Sequence, residues 1–460
     1  MSRLPSWVLL AVAASPAVAA EKPSLDGAWL SQGYGYLLEF EGRTLRVSEV
    51  TATTCVLSTT AERVDAVVPG REATFQTPEG HVLFVREGGD EDHKRVHSDG
   101  SASDVRIDRV RTRPSVCDRP VANTPMGSFE VFSRTWAENY ISFDLKKTDW
   151  DAVVRANRPR ITSTTTPAEL FDVFAGMIEP FGDTHTFINA PDLKRQFRKL
   201  RPGTDRVIGG DFAEFRSKRM PALLEVTERA YVHGPLRTWC NGQIQYGHVD
   251  ERTGYLRIVS FSGYREGGDF AAGLVDLEAA LDAIFADPDL HRLVIDVRIN
   301  FGGADPYGLA IASRLATNEY LAYTKEARSN PVDRDRWTPP DASLVVPSSR
   351  PGFRGPVVEL IGPLTISAGE TFTQALMGRT PHATRIGEST QGVFSDVLAR
   401  HLPNGWRFGL PNEVYRTPEG TAFDGSGIPP DIAVPVFADE DIAAGRDPGM
   451  ARALQVLGTE

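Results

Sequence analysis

Between Gly254 and Met377 short apolar runs alternate with stretches of helical periodicity, and this alternation confines the chain to layered α/β architectures. Gly254 to Phe261, Leu293 to Arg298 and Val357 to Ile361 read as strands. Asp269 to Phe285, Pro306 to Ala316 and Ala368 to Met377 read as helices. A β-α-β order of this kind places reactive residues at strand ends, where loops lead into helices. After Arg385 the pattern returns to strands, with Asn404-Gly405 as a type I′ hairpin signal.

The flanking segments are of different character. Residues 1–20 read as a cleaved export signal, with Arg3 in a short n-region, an apolar stretch from Trp7 to Ala14, and small residues at Pro16-Ala-Val-Ala-Ala20. Residues 21–120 form a β-rich domain of short strands (Gly33 to Phe40, Arg43 to Val50, Glu72 to Gln76, His81 to Arg86), for which a small meander fits. The alternate aromatics Tyr34, Tyr36 and Phe40 read as the packing face of one strand. From residue 125 to 200 a helical module follows (Ser128 to Tyr140, Pro167 to Glu179), then an α/β core over 201–437 and a C-terminal helix or tail over 438–460.

Three stretches carry candidate chemistry. Ser367 sits in Gly362-Pro-Leu-Thr-Ile-Ser-Ala-Gly-Glu370, where an apolar run breaks into a small-residue turn and then a helix. A hydroxyl at such a corner is exposed and aimed, and the free N–H groups beside it can hold an oxyanion, although a helix-capping serine gives the same local pattern. Leu293 to Asp305 is a buried-strand run ending in Asn300-Phe-Gly-Gly303, glycines that suit a turn or a close ligand approach as well as a plain strand-to-helix connection. Phe181-Gly-Asp-Thr-His-Thr186 offers a histidine in a polar turn, available as a base.

Other chemistries find no support. The remaining histidines show neither His-x-x-x-His nor His-Glu-x-x-His spacing, so a zinc peptidase is not indicated, and no metal or other cofactor is expected. Ser367 lacks the Gly-x-Ser-x-Gly frame of an α/β-hydrolase, and no phosphate-binding glycine motif occurs. With 50 basic against 61 acidic residues the formal charge is −11, which disfavours nucleic acid or an anionic membrane as partner. Beyond the first residues no segment reaches membrane-spanning length. Export permits a disulfide, and of the three cysteines Cys55 and Cys117 are the pair expected from proximity in sequence, leaving Cys240 free.

The three stretches, with Asp424-Gly-Ser-Gly-Ile-Pro-Pro-Asp431, resemble the tail-specific (C-terminal processing) serine peptidase family. Its landmarks are Gly-Asp-x-His-Thr, Asp-x-Arg-x-Asn-x-Gly-Gly, Thr-x-Ser-Ala-Gly-Glu and an acidic-Gly-x-Gly-Ile-x-Pro-Asp segment, matched here in that order between about residues 128 and 437. The resemblance implies a layered ββα spiral core of crotonase or Clp type. One branch of the family uses a lysine about 25 residues after the serine, but the last lysine of this chain is Lys325. The resemblance therefore points to the tricorn-core-like branch, with Ser367 as nucleophile and His185 as base. In that branch Thr184 and Asp424 orient the imidazole, and backbone N–H groups of Ala368 and of Gly302 or Gly303 form the oxyanion hole. The family usually has glutamate where Asp424 stands, so Asp183, Glu370 and Glu388 stay candidates for the third member. A complete PDZ domain does not fit between Ala190 and Tyr246. The implied function is an exported serine endopeptidase acting on peptides or unfolded protein through an acyl-enzyme; a non-catalytic binding protein on the same core, or an esterase, are the alternatives.

Overall fold

The computed structural model describes residues 25–64 and 72–458, so the export-signal segment lies outside the described residues. Eight antiparallel strands, from Gly27–Ser31 to Val105–Val110, pair in sequence order and close into a barrel, the last strand lying against the first with Ala28 opposite Val110 and Leu30 opposite Asp108. Closure goes beyond a meander and leaves no unpaired edge. The interior is filled by Trp29, Leu38, Phe40, Leu45, Phe75, Val85 and Ile107, all buried, so the barrel is a packed core. Gly33, Tyr34 and Gly35 all have positive φ (71°, 60° and 62°), and this turn delays the expected strand to Tyr36–Glu41. Tyr34 accordingly leaves the packing face and donates its hydroxyl to Glu413 of the core at 2.6 Å. A Cys55–Cys117 disulfide, with Cα atoms 5.0 Å apart, ties the barrel to the turn that leads into the helices, while Cys240 is free and buried.

The helical module starts from well-marked caps. Thr124 accepts from Gly127 N–H ahead of helix Pro125–Asn139, and Thr166 with Glu169 forms a capping box on helix Pro167–Ile178. Their apolar faces meet in an aromatic cluster of Phe132, Trp136, Tyr140, Trp150, Phe174 and Phe181. Phe181 stacks on Trp136 with centroids 5.2 Å apart and is 1% exposed, which fixes the chain four residues before His185. Burial of each such ring contributes about 1.5–3 kcal/mol.

The core is built on a seven-stranded mixed sheet. His233–Trp239, Ile244–His248 and Thr253–Ile258 pair antiparallel; Arg292–Asp296, Val357–Ile361, Ala383–Gly387 and Ile432–Ala433 then add in parallel, with helix Phe270–Phe285 connecting Thr253–Ile258 to Arg292–Asp296. The central parallel strands are buried along nearly their whole length because both faces are covered, and they are mainly apolar. A separate four-stranded sheet joins Phe187–Ala190, just after His185, to the hairpin Val397–His401 and Arg407–Pro411. That hairpin turns at Leu402–Gly405, where Gly405 alone has positive φ (84°). It is therefore not a type I′ turn: Pro403 fixes a negative φ just before Asn404, and the loop is longer than two residues. Between Ala190 and Tyr246 the chain forms a short strand and the helices Pro202–Ile208 and Met220–Tyr231 before the sheet begins.

Candidate active site

The serine turn is set by a second, two-stranded parallel pairing. Ile299 lies opposite Leu364 and Asn300 opposite Thr365, and Ile366 N–H donates to Asn300 O at 3.0 Å. Thr365 locks the approach, its hydroxyl donating to Val297 O at 2.8 Å and accepting from Gly362 N–H at 3.0 Å. Immediately afterwards Ser367 turns with φ 55° and ψ −119°, and helix Ala368–Met377 begins. A non-glycine residue in this region of backbone space costs about 1–3 kcal/mol, and such strain is typical of strand-to-helix turns that present a nucleophile.

Glu370 holds the turn in place. Its fully buried carboxylate accepts from Ser367 N–H (3.3 Å), Thr390 Oγ1 (2.6 Å), Gly392 N–H (2.5 Å) and Val393 N–H (2.8 Å). Burial pushes its pKa up to about 7, against the pull of these donors. Glu370→Gln sets an amide N–H₂, on whichever side it lies, against at least one backbone N–H that cannot accept, and is expected to destabilise the fold by about 2–4 kcal/mol. Urea unfolding of wild type and variant at equal slope checks this; an unchanged midpoint would contradict it.

The Asn-x-Gly-Gly loop lies against the serine. Asn300 is fully buried, donating to Ile258 O at 2.9 Å and accepting Gly302 N–H at 2.9 Å. A Cβ on Gly302 would sit 2.7 Å from Ser367 Cβ and 3.1 Å from Ala368 N, and one on Gly303 would sit 2.1 Å from Phe261 O. Both glycines also have positive φ (77° and 139°), so no other residue fits either position. Gly302 N–H is occupied by Asn300, whereas the N–H groups of Gly303 and Ala368 have no acceptor among the described residues. Below the loop, Arg298 is clamped by Asp296 (2.7 Å) and Asp447 (2.7 Å), so the Asp-x-Arg part of the motif is scaffold.

His185 arrives from the helical module. Gly182 turns with φ 52°, Asp183 accepts His185 N–H at 2.8 Å, and the histidine is 8% exposed with Nδ1 buried and unpartnered among the described residues. Burial lowers its pKa from the usual imidazole value; Asp183, Asp396 and the Ser395 backbone act the other way, and Arg198 reinforces the lowering. Thr184 donates to Gln391 Oε1 at 2.5 Å, while Gln391 Nε2 donates to Thr204 and Gln391 N–H to Thr365 O at 3.1 Å. Gln391 thus bridges the histidine loop and the strand carrying the serine. His185 and Ile366, the residue before Ser367, line one cleft of about 690 Å³ together with Phe187, Phe212, Phe301 and Arg198. No Ser367–His185 hydrogen bond is present among the described residues.

The candidate carboxylates separate by their partners. Asp424 Oδ1 accepts Phe394 N–H at 3.4 Å and its Oδ2 is buried without a partner among the described residues; burial first, then the charge of Asp183, pushes its pKa up to about 7. Asp183 is bonded within its own loop, Glu370 to the serine turn, and Glu388 to Arg206 (2.8 Å) and Val436 N–H (2.8 Å) away from the cleft. Sequence reasoning missed Gln391 and the buried Lys325, which pairs with Asp396 (2.8 Å) and Glu413 (3.1 Å). A lone glutamine in a loop and a lysine within a strand carry no sequence signal.

Residues 252–434 match the model of peptidase family S41, and residues 122–179 match that of the tricorn protease C1 domain. A carboxy-terminal-processing protease of Bartonella bacilliformis is 27% identical over 186 residues, covering 40% of this chain and 39% of that protein, so less than half of the relative is matched. Among solved structures, a candidate peptidase of Parabacteroides merdae superposes with a TM-score of 0.59 at 25% identity, covering 73% of this chain and 97% of that one. Mature CPAF bound to lactacystin gives a TM-score of 0.52 at 12% identity over 73% of this chain and 98% of its own, a likeness of fold alone. With the helical module and the core each matched by such a model, in the order of the motifs, these likenesses support a tail-specific protease family for the chain, its core matching peptidase family S41.

Proposed function

We propose that this protein is an exported serine endopeptidase that hydrolyses peptide bonds through Ser367 and His185. The observation that carries the reading is the strained serine turn, with two unoccupied backbone N–H groups beside it and a buried histidine lining the adjoining cleft. Ser367 Oγ attacks the peptide carbonyl carbon as His185 takes its proton; the oxyanion is held by Ala368 and Gly303 N–H, a contact worth about 3 kcal/mol per donor. His185 returns the proton to the leaving amine, and water then releases the acyl group by the same route. Gly302 takes no direct part, since its N–H already serves Asn300. Thr184 positions the histidine loop through Gln391, Asp183 and Asp396 are the carboxylates whose charge favours the His185 imidazolium, and Asp424 is proposed as a further orienting carboxylate.

The sheet, the paired motif strands and the flanking helices are read as the layered ββα spiral, with the barrel as a separate N-terminal domain. Peptides or unfolded protein are the substrates. Export to an oxidising compartment accords with the Cys55–Cys117 bond, and no helix among the described residues is long and apolar enough to cross a membrane.

The test is labelling of the mature protein with a fluorophosphonate, followed by mass mapping of the modified peptide. Label on Ser367 that disappears in Ser367→Ala and in His185→Ala is expected. Folded wild-type protein that stays unlabelled would turn the reading towards a binding protein on this core.

A further inference from the structure

The cleft beside the serine turn carries a charge pattern that the acyl-transfer chemistry leaves unused. Along the segment that walls it, Arg195 pairs with Asp172, Arg206 with Glu388 and Arg219 with Asp439, and Arg201 donates to the carbonyls of Gly392 and Gly425. Arg198 and Arg216 are the exceptions. Both are exposed, and neither guanidinium has a hydrogen-bond or ion-pair partner among the described residues, in a chain whose net charge is −11.

Each of the two lies over rings that line the cleft. Arg198 Cζ is 5.5 Å from the centroid of Phe187, and Arg216 Cζ is 5.6 Å from that of Phe301 and 5.8 Å from that of Phe212. A ring steadies a guanidinium at such a distance and leaves its N–H groups available to another acceptor. On strand Arg195–Arg198, Arg198 shares a face with Gln196, opposite Phe187 and Asn189, and all four line the cleft with His185. The charge of Arg198 is felt at His185, which sets the guanidinium on the catalytic side of that strand. Asp183 acts on Arg198 through space, but its carboxylate is taken by His185 N–H. Asp211, which also lines the cleft, is occupied in accepting Glu214 N–H at 2.8 Å. The cleft therefore offers unmatched positive charge next to an apolar wall of Phe212, Phe301 and Ile366.

We infer that this cleft, read as above as the substrate cleft, selects peptides in which an acidic side chain stands close to a bulky apolar one. Arg198 takes the side-chain carboxylate with its two-pronged donor edge, the apolar wall takes the neighbour, and Arg216 adds positive field beside Phe212 and Phe301. A neutral amide in place of the carboxylate forfeits the charge, and a lysine there is repelled.

Acetylated, amidated peptides carrying Phe and, at each neighbouring position in turn, Glu, Gln or Lys are titrated into Ser367→Ala protein and followed by fluorescence anisotropy at constant ionic strength. This readout needs no turnover, so its failure is separate from a failure of the serine chemistry, which fluorophosphonate labelling of wild type reports. At one position or more, the Glu peptide is expected to bind about tenfold tighter than its Gln counterpart, with the Lys peptide weakest. In the same background Arg198→Gln should bring the Glu-to-Gln ratio close to one, Arg198→Glu should turn the preference towards Lys, and Arg216→Gln should reduce the ratio by less than Arg198→Gln does. Wild type should rank the peptides in the same order by kcat/KM. The inference is overturned by a ratio near one at every position, by a ratio that survives Arg198→Gln, by absence of saturable binding, or by a gain seen only when the Gln peptides are given a free C-terminal carboxylate.

Discussion

Ser367→Ala is expected to lower kcat/KM on a peptide substrate by about 10⁴-fold or more while leaving the protein folded, because the proposed mechanism makes its hydroxyl the bond-forming group and nothing else at the turn can replace it. The companion variant Ser367→Gly should be equally inactive yet more stable than Ser367→Ala. At φ 55° and ψ −119° serine and alanine carry the same backbone strain, and glycine relieves it. Set against the extra chain entropy that glycine loses on folding, the gain is expected to be about 1 kcal/mol, read from urea midpoints. Substantial turnover in the alanine variant would remove Ser367 from the chemistry. A glycine variant no more stable than the alanine one would show that the turn holds no strain for function to draw on.

The sequence was legible where a local rule acts alone. The serine turn, the glycine loop and the helix start at Pro167 follow from residue types a few positions apart, and the structure places strand Val357–Ile361 and helix Ala368–Met377 at the expected residues, whereas the first helix of the module begins at Pro125, ahead of the expected Ser128. Features fixed by distant partners were not legible. Closure of the barrel depends on Ala28 meeting Val110, and nothing in either strand announces the other. The choice between Gly302 and Gly303 depends on the Asn300 side chain folding back onto one N–H. The bridge from Thr184 to the serine strand runs through Gln391, 207 residues away. The turn at Asn404-Gly405 was misread because a two-residue signal was weighed without Pro403 before it.

His185→Ala is expected to cost as much activity as Ser367→Ala, and the double variant little more than either, since the two groups act as one unit. The pH behaviour gives a second readout. Because burial lowers the His185 pKa, the neutral base persists to pH values below the usual imidazole range, and the acid limb of kcat/KM should lie below about 6.5. For stability, the folded state binds fewer protons at this site than the unfolded chain does. The His185 contribution therefore falls as pH drops from about 6.5 towards the folded pKa. Glu359, Glu370 and Asp424, each raised to about 7 by burial, act in the opposite sense: folded, they hold protons that the unfolded chain has released, and stability declines as pH rises towards about 7. The wild-type curve mixes these slopes, but its difference from His185→Ala isolates the histidine. The stability advantage of wild type over His185→Ala should shrink as pH falls below about 6.5, and an advantage that grows would mean His185 is stabilised as the imidazolium, the wrong form for a base that must take the Ser367 proton.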